Sequence, residues 1–311
     1  MCDLYDELDM SLPFIPPRSR LDHLQPVGVG TPYVESQTSY VTRLAAAHHN
    51  KVSTLIKSEI GPLLKNKSFA PEKIDGKSYT FSKVVNGIDS TASDWVDVLK
   101  RLTLRTDLLF TTLLPYQNIL TNNYLLHKSS AWCPACYQEW RDSDLPIYEP
   151  LLWKIQAVLV CPVHRYELQD TCPHCWKKQS HLSPLCRPGL CSHCKGWLGG
   201  RHEYPIRQNA RQSLWYAETV ADLLEMAPSL SNFPGQDAVA DFIEHLINTC
   251  TKGSQGAFCK VVKISREAIS AWKRGDYVPQ LPAILWITFV MQVPIKVMLE
   301  NWNLKQNERC Q

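Results

Sequence analysis

Cys172-Pro-His-Cys175 and, fifteen residues later, Cys191-Ser-His-Cys194 decide the fold of the middle of this chain. A gap of two residues lets both thiolates of one tight turn face the same metal ion, and two such turns complete a tetrahedron. The histidines inside the turns point away from that ion in this geometry, so we do not expect them to be ligands. The pattern therefore predicts a zinc site made of four cysteines.

A second set of ligands precedes this site in the pairs Cys133-Pro-Ala-Cys136 and Cys161-Pro-Val-His164. The loop between these pairs is longer, so the spacing alone is weaker evidence. The repeated Cys-Pro pattern supports the site, because the proline shapes the turn that directs both ligands. Both sites offer four protein ligands, whereas a catalytic zinc usually keeps one position open for water. We expect two structural zinc ions that shape a binding surface.

The clustering of the cysteines fits a chain in a reducing compartment. Eight of the twelve cysteines lie between Cys133 and Cys194, and clusters of this kind indicate metal rather than disulfides there. Cys186 is a weaker alternative ligand, because it lies near the second site. The N-terminus is acidic, no apolar segment of a signal peptide follows it, and no apolar run is long enough to span a bilayer. We therefore expect a cytoplasmic protein with no membrane partner. The other cysteines are expected to be ordinary thiols: Cys2, Cys250, Cys259 and Cys310.

Helical periodicity is the main signal on both sides of the cysteine-rich segment. Ser36 or Thr38 can cap a helix that continues to Ala47, and Ser93 or Asp94 can begin another. The length of 311 residues suggests two or three domains, and the net charge of +3 is too small to indicate a partner. We predict a mainly α, multidomain fold. Its segments are an irregular N-terminus (1–34), a helical domain (35–127), a double zinc-finger module (128–205), a helix and linker (206–235) and a C-terminal domain (236–311).

The C-terminal domain carries the pattern of a helix-turn-helix. Ser265 is placed to cap its second helix, and Gly275 suits the end of that helix. Helical spacing directs three side chains inward, namely Ala268, Ile269 and Trp272. The same spacing directs four others outward as candidate DNA contacts, namely Arg266, Ser270, Lys273 and Arg274. A polar, basic second helix is what entry into a major groove requires. The alternative is a helical interaction module whose basic face never touches DNA.

With these motifs, the chain resembles the TniQ family from about Glu35 to Gly199. The resemblance rests on the segment from Glu35 to Ala45, on the segment from Leu102 to Leu113, on Trp132 before Cys133, on Trp153 before Cys161, and on the two cysteine-rich patterns. The cysteine-rich signature is specific, whereas the N-terminal motif is looser. Val34 stands where the family usually has glycine.

The resemblance implies a target-selection protein of a transposon. Such proteins look like adapters that recruit a TnsC-like AAA+ ATPase, which loads the transposase. TnsD-like members read a fixed DNA site, and others dock on a Cascade-like CRISPR effector complex with its guide RNA. The eight ligands fall at the family's metal positions, and the N-terminal region resembles a helix-turn-helix used for protein contacts. The modest length favours the CRISPR-associated branch, and the choice between a monomer and a homodimer stays open.

An enzyme is the least supported class of function. The sequence has no His-Glu-x-x-His motif, no glycine-rich phosphate loop and no zinc pattern with an open position. We therefore expect a non-enzymatic adapter, with a sequence-specific DNA-binding protein as the alternative.

Overall fold

The computed structural model describes residues 18–65, 78–200 and 210–309. The first seventeen residues of the predicted irregular segment lie outside the described residues, as do Cys2 and Cys310. Residues 18–34 contain turns and bends and no helix.

The N-terminal helices surround one apolar core. Helix α1 is capped by Ser36, whose side chain accepts a hydrogen bond from the Ser39 N–H, as the sequence predicted. The elements are α1 (Gln37–Ala47), α2 (Val52–Leu55) with a π-helical turn (Ile56–Ile60) and a 3-10 turn (Gly61–Leu63), a 3-10 segment (Ser78–Asn86) and α3 (Ser90–Thr103). Their core contains Tyr40, Leu44 and Trp95, all fully buried. Burial of these large side chains holds the short helices together.

Helix α3 begins earlier than the sequence predicted. We expected Ser93 or Asp94 to start it, but it begins at Ser90 and is capped by Asp89. The Asp89 carboxylate accepts hydrogen bonds from the backbone N–H groups of Thr91 and Ala92 at 3.0 and 3.2 Å. An aspartate with two backbone donors is a strong cap, so the helix extends one turn toward the N-terminus.

The middle of the chain has little regular structure. It contains α4 (Pro134–Asp142) and three 3-10 turns (Leu108–Thr111, Leu114–Tyr116 and Leu151–Lys154). Among the described residues, extended pairing is limited to isolated bridges such as Trp132 with Gln169 and Ser130 with Gln179. Because β-sheet hydrogen bonding is so limited, much of the stability of this part must come from interactions other than a sheet.

The C-terminal part is helical, as predicted. Its elements are α5 (Ala210–Met226), α6 (Gln236–Thr251), α7 (Gln255–Val262), α8 (Arg266–Arg274), α9 (Leu281–Met291) and α10 (Lys296–Arg309). Helix α5 joins this part to the middle of the chain, because it packs against α9, α10 and the turn Leu151–Lys154. The Trp215 indole N–H donates to Thr288 Oγ1 at 3.1 Å, and the Tyr116 hydroxyl donates to the Leu223 carbonyl.

The apolar cores cross several of the predicted domain boundaries. One core belongs to the N-terminal helices, and a second extends from Leu113 through the cysteine-rich segment to Leu299. The predicted boundary between residues 127 and 128 therefore falls between side chains that share a core, such as Leu125 and Trp132. The division into domains stays a prediction.

No single described helix is long and apolar enough to cross a membrane. Helices α9 and α10 pass the same length-and-composition test only as a pair, and that pair is bent by 102°.

Candidate metal centres

The first predicted ligand set converges at one point. Cys136 Sγ lies 3.6 Å from Cys161 Sγ and 3.3 Å from His164 Nδ1, and Cys133 Sγ lies 3.5 Å from the same nitrogen. A disulfide would hold two sulfurs about 2 Å apart. A tetrahedral ion with metal–sulfur bonds of about 2.3 Å would hold them about 3.8 Å apart. The spacing matches a metal site, and it assigns Nδ1 of His164 as the ligand atom.

The second ligand set has the same dimensions. Cys172 Sγ lies 3.7 Å from Cys194 Sγ, and Cys175 Sγ lies 3.6 Å from Cys191 Sγ. In each set the four ligand atoms lie within 4.8 Å of one another. The four ligands of this site differ in exposure: Cys172 and Cys191 are buried, and Cys194 is exposed. Two groups of residues in this chain can thus each hold one metal ion.

Three of the four ligand pairs lie in turns with the same backbone. In each turn, the N–H of the residue after the second ligand donates to the carbonyl of the first ligand, at 2.7 to 3.0 Å. That following residue has a positive φ between 58° and 63° in all three turns: Arg165, Trp176 and Lys195. The fourth pair, Cys133 and Cys136, opens α4, with Pro134 at its first position. The sequence gap of two residues thus produces nearly identical ligand turns.

Two polar side chains outside the ligand sets orient the ligands. The Nε2 of His164 lies 2.8 Å from Glu139 Oε1 on α4. With Nδ1 facing an ion, Nε2 carries the ring proton and donates a hydrogen bond to this carboxylate. Near the second site, the Gln179 amide N–H donates to Cys191 Sγ at 3.3 Å, while its oxygen accepts from the Ser192 N–H at 2.8 Å.

Sequence reasoning did not find Glu139 or Gln179. Glu139 lies three residues after Cys136 on α4, so it shares a helical face with a ligand, but we predicted no helix there and the signal was missed. Gln179 had no such signal, because its role depends on the bridge that pairs its backbone with Ser130.

Within residues 18–65, 78–200 and 210–309, the cysteines and histidines that we did not expect to be ligands lie outside both ligand sets. His174 Nε2 contacts the Trp197 carbonyl at 2.8 Å, and His193 is exposed. Cys186, the weaker alternative, lies outside the second set and contacts Thr42 Oγ1 at 3.3 Å. Burial raises the pKa of the Cys186 thiol, which disfavours the thiolate that a metal needs.

A buried polar network joins helix α1 to the segment between the two ligand pairs of the first site. Ser39 Oγ donates to Glu35 Oε1 at 2.7 Å and accepts from the Glu149 N–H at 2.9 Å. The Glu149 carboxylate in turn binds the fully buried Lys154 ammonium. Burial raises the pKa of the Glu35 carboxyl, and the Arg43 guanidinium, its ion-pair partner, opposes that shift. The N-terminal helices and the metal module therefore have a fixed relation to each other.

Aromatic side chains fill the space behind α4. Trp140 stacks on Tyr148 with ring centroids 4.6 Å apart and on Trp153 at 5.6 Å. The guanidinium of Arg141 lies 4.5 Å above the ring of Trp197. These contacts pack the side chains around α4, the helix that carries Cys136, and stabilise its position.

The structure places the candidate DNA contacts on one helix with unequal exposure. Arg266 and Arg274 are exposed, while Ser270 and Lys273 are half-buried. Lys273 pairs with Glu244 on α6, and Arg274 pairs with Asp276 at 2.6 Å. Ser270 Oγ accepts from Gln255 Nε2 at 2.9 Å. Their role in DNA binding stays a prediction.

The inward face of α8 differs in detail from the predicted one. Ile269 is buried as expected, but Ala268 and Trp272 are only half-buried, and Ala271 takes a core position that we did not predict. Ala271 is buried, and α8 packs against α6.

The TniQ family model matches residues 26–168. The chain carries a TniQ domain over these residues. The matched residues include the whole first ligand set and helix α1, and they end before Cys172, so the second ligand set lies beyond the match. The TniQ family acts in selecting the targets of DNA transposition. A search of curated proteins returned no match to this chain.

Proposed function

We propose that this TniQ protein is a non-enzymatic target-selection adapter. In this proposal it links a Cascade-like CRISPR effector complex with its guide RNA to a TnsC-like AAA+ ATPase, which regulates the transposase. The proposal is supported by the TniQ domain at residues 26–168. It also implies a bacterial, cytoplasmic protein, because guide-RNA complexes work in that compartment.

We infer that both metal ions are zinc. Three thiols with one imidazole and four thiols are ligand sets that suit zinc, and the sulfur–sulfur distances of 3.6 to 3.7 Å agree with its tetrahedron. All four positions of each site are taken by protein atoms, which supports a structural role and leaves no position for a substrate. The zinc sites in this proposal stiffen the surface that partners recognise.

The observation that favours an adapter over a DNA reader is the pairing of the cations on α8. Lys273 lies against Glu244, and Arg274 lies against Asp276. A DNA phosphate would have to displace both carboxylates and would meet their negative charge at close range. Arg266 is the one cation of the four candidates without such a pair among the described residues.

The alternative function is a TnsD-like protein that reads a fixed attachment site. It is supported by the helix-turn-helix formed by α7 and α8 and by the exposure of Arg266. In that case, the first residues of α8 would contact base edges in the major groove.

A bridging assay tests the adapter proposal. The effector complex is immobilised, and the ATPase is added with ATP in the presence or absence of this protein. We expect the ATPase to be retained only when the protein is present. The triple variant Arg266→Ala, Lys273→Ala, Arg274→Ala should bridge as well as the wild type, because in this proposal the adapter contacts come from the TniQ domain at residues 26–168, which does not include α8. Failure of the folded wild-type protein to retain the ATPase would contradict the proposal.

A further inference from the structure

A cleft of about 290 Å³ lies between the N-terminal helices and the loop that precedes the last ligand pair. One wall comes from the end of α1 and the start of α2, with His49, Asn50 and Lys51. The other wall comes from Leu185 to Arg187. His49, Lys51 and Arg187 are exposed. The cleft is far along the chain from α8 and includes none of the metal ligands.

The two walls are fixed to each other. The Ser53 N–H donates to the Pro184 carbonyl at 3.4 Å, and Cys186 Sγ contacts Thr42 Oγ1 at 3.3 Å. Leu182 is fully buried in the core of the N-terminal helices. The loop therefore cannot swing away from α1 without breaking buried contacts, and the cleft is a preformed feature of the fold.

The cations of the cleft are not neutralised by the residues around them. None of the nine lining residues is acidic. Within the described part of the chain, the two cations Lys51 and Arg187 have no carboxylate partner. This contrasts with α8, where Lys273 and Arg274 are both paired. Free cations close together create a positive potential that attracts anions.

The second metal site adds a further cation at the rim. Lys195 follows the last ligand and donates from Nζ to the carbonyls of Leu185 and Ser192, both at 3.0 Å. Its ammonium thus lies beside the loop that forms one wall. The end of α1 does not offset these charges fully, because its last carbonyls already accept from the N–H groups of His48, His49 and Asn50.

We propose that this cleft binds the phosphodiester backbone of a nucleic acid. Lys51 and Arg187 supply the main contacts, Lys195 extends the positive surface, and His49 adds a polar ring beside them. The binding is independent of base sequence, because backbone contacts position a protein on a nucleic acid without reading bases. The inference rests on the proposed function in transposition, where DNA and a guide RNA are the available sources of phosphates.

The test compares two double variants of the full-length protein. Lys51→Ala with Arg187→Ala removes the central cations of the cleft. Lys100→Ala with Arg101→Ala removes one lysine and one arginine from an exposed end of α3 that is not part of the cleft. Affinity for a short duplex DNA of random sequence and for an RNA hairpin is measured at about 50 and 200 mM salt. Circular dichroism checks that all three proteins are folded.

We expect the cleft variant to bind more weakly than the control and with a flatter salt dependence. Loss of two phosphate contacts should reduce the ratio of affinities between the two salt concentrations by about tenfold, while the control retains most of the wild-type ratio. A preference for the duplex identifies DNA as the source of the phosphates, and a preference for the hairpin identifies RNA. Both preferences support the inference.

Two results would overturn it. One is an equal loss of affinity in the cleft variant and the control, which would reflect net charge alone. The other is a wild-type protein that binds neither nucleic acid. A protein that bridges the effector and the ATPase but binds no nucleic acid would support the proposed function and contradict this inference. A protein that binds nucleic acid through the cleft but bridges nothing would support this inference and contradict the proposed function.

Discussion

His164 connects the first metal site to the surface of α4 through its two ring nitrogens. Nδ1 lies among the thiols and Nε2 lies 2.8 Å from Glu139 Oε1. The carboxylate fixes the tautomer and orientation of the ring and makes it a better ligand. The Glu139 side chain is 63% exposed, so water replaces part of its effect when it is removed.

Glu139→Ala should therefore lower the metal affinity of the first site by about tenfold. This is the low end of the effect expected for a carboxylate that orients a metal-binding histidine. A titration of the protein against a competing chelator measures this affinity. Glu139→Gln retains an acceptor oxygen and should lie between Ala and wild type. The second site is an internal control and should be unchanged. Equal affinities of wild type and Glu139→Ala would show that Glu139 does not support the ligand.

The eight ligands were predictable from the sequence because a gap of two residues brings both side chains of a pair to one metal, and three of the four pairs form the same turn. The structure gathers them in the predicted sets. Gln179 was not predictable, since it reaches Cys191 only after the chain has folded back on Ser130. The mutual contacts of Glu35, Ser39 and Glu149 were equally hidden, because Ser39 and Glu149 are 110 residues apart.

At the scale of elements, α8 has the clearest local signals. Ser265 Oγ accepts from the Ala268 N–H at 3.2 Å, and Gly275 ends the helix with a φ of 75°. Both caps follow from the sequence, because Ser and Gly are preferred at these positions for known physical reasons. Helix α3 differs, since Asp89 competes with Ser93 and Asp94 for the cap, and the choice depends on which turn packs on the core.

Ser265→Ala should lower the free energy of opening of α8 by about 1 kcal/mol, because one backbone N–H loses its acceptor. Ser265→Gly should cost only a few tenths of a kcal/mol, since glycine leaves that N–H open to water. Amide hydrogen exchange of α8 residues measures these free energies. Indistinguishable exchange in Ser265→Ala and the wild type would contradict the assignment of this cap.

At the scale of the whole molecule, the metal sites are part of a core. Cys133, Cys161, Cys172 and Cys191 belong to the same apolar cluster as helices of the C-terminal part. The described residues around them form only isolated bridges. Without ions, three thiols and one imidazole would crowd at the first site and four thiols at the second, with little regular structure to hold them. The predicted separate module could not reveal this shared core, because side chains of α5 complete it.

We expect two zinc ions per chain by elemental analysis. Cys133→Ser and Cys172→Ser should each lower the count to about one, and Cys250→Ser, which changes an exposed cysteine outside both sets, should leave it at two. Removal of both ions by a chelator should abolish the near-ultraviolet circular dichroism of the tryptophans near α4, because their packing depends on the first site. A metal-free protein with an unchanged spectrum would contradict a structural role.

The adapter proposal predicts how the DNA affinity of the whole protein depends on base sequence and on salt. An adapter with a cationic cleft binds through phosphates, so its affinity should not depend on sequence. A site reader gains base contacts, which tolerate salt better than phosphate contacts do.

The most direct test is a titration of the purified protein onto random duplex DNA and onto a duplex of the candidate target site, each at two salt concentrations. We predict equal affinities for the two duplexes and a steep loss of both at the higher salt. Tight binding to the target site that persists at the higher salt, with weak binding to random DNA, would contradict the adapter and establish a direct site reader.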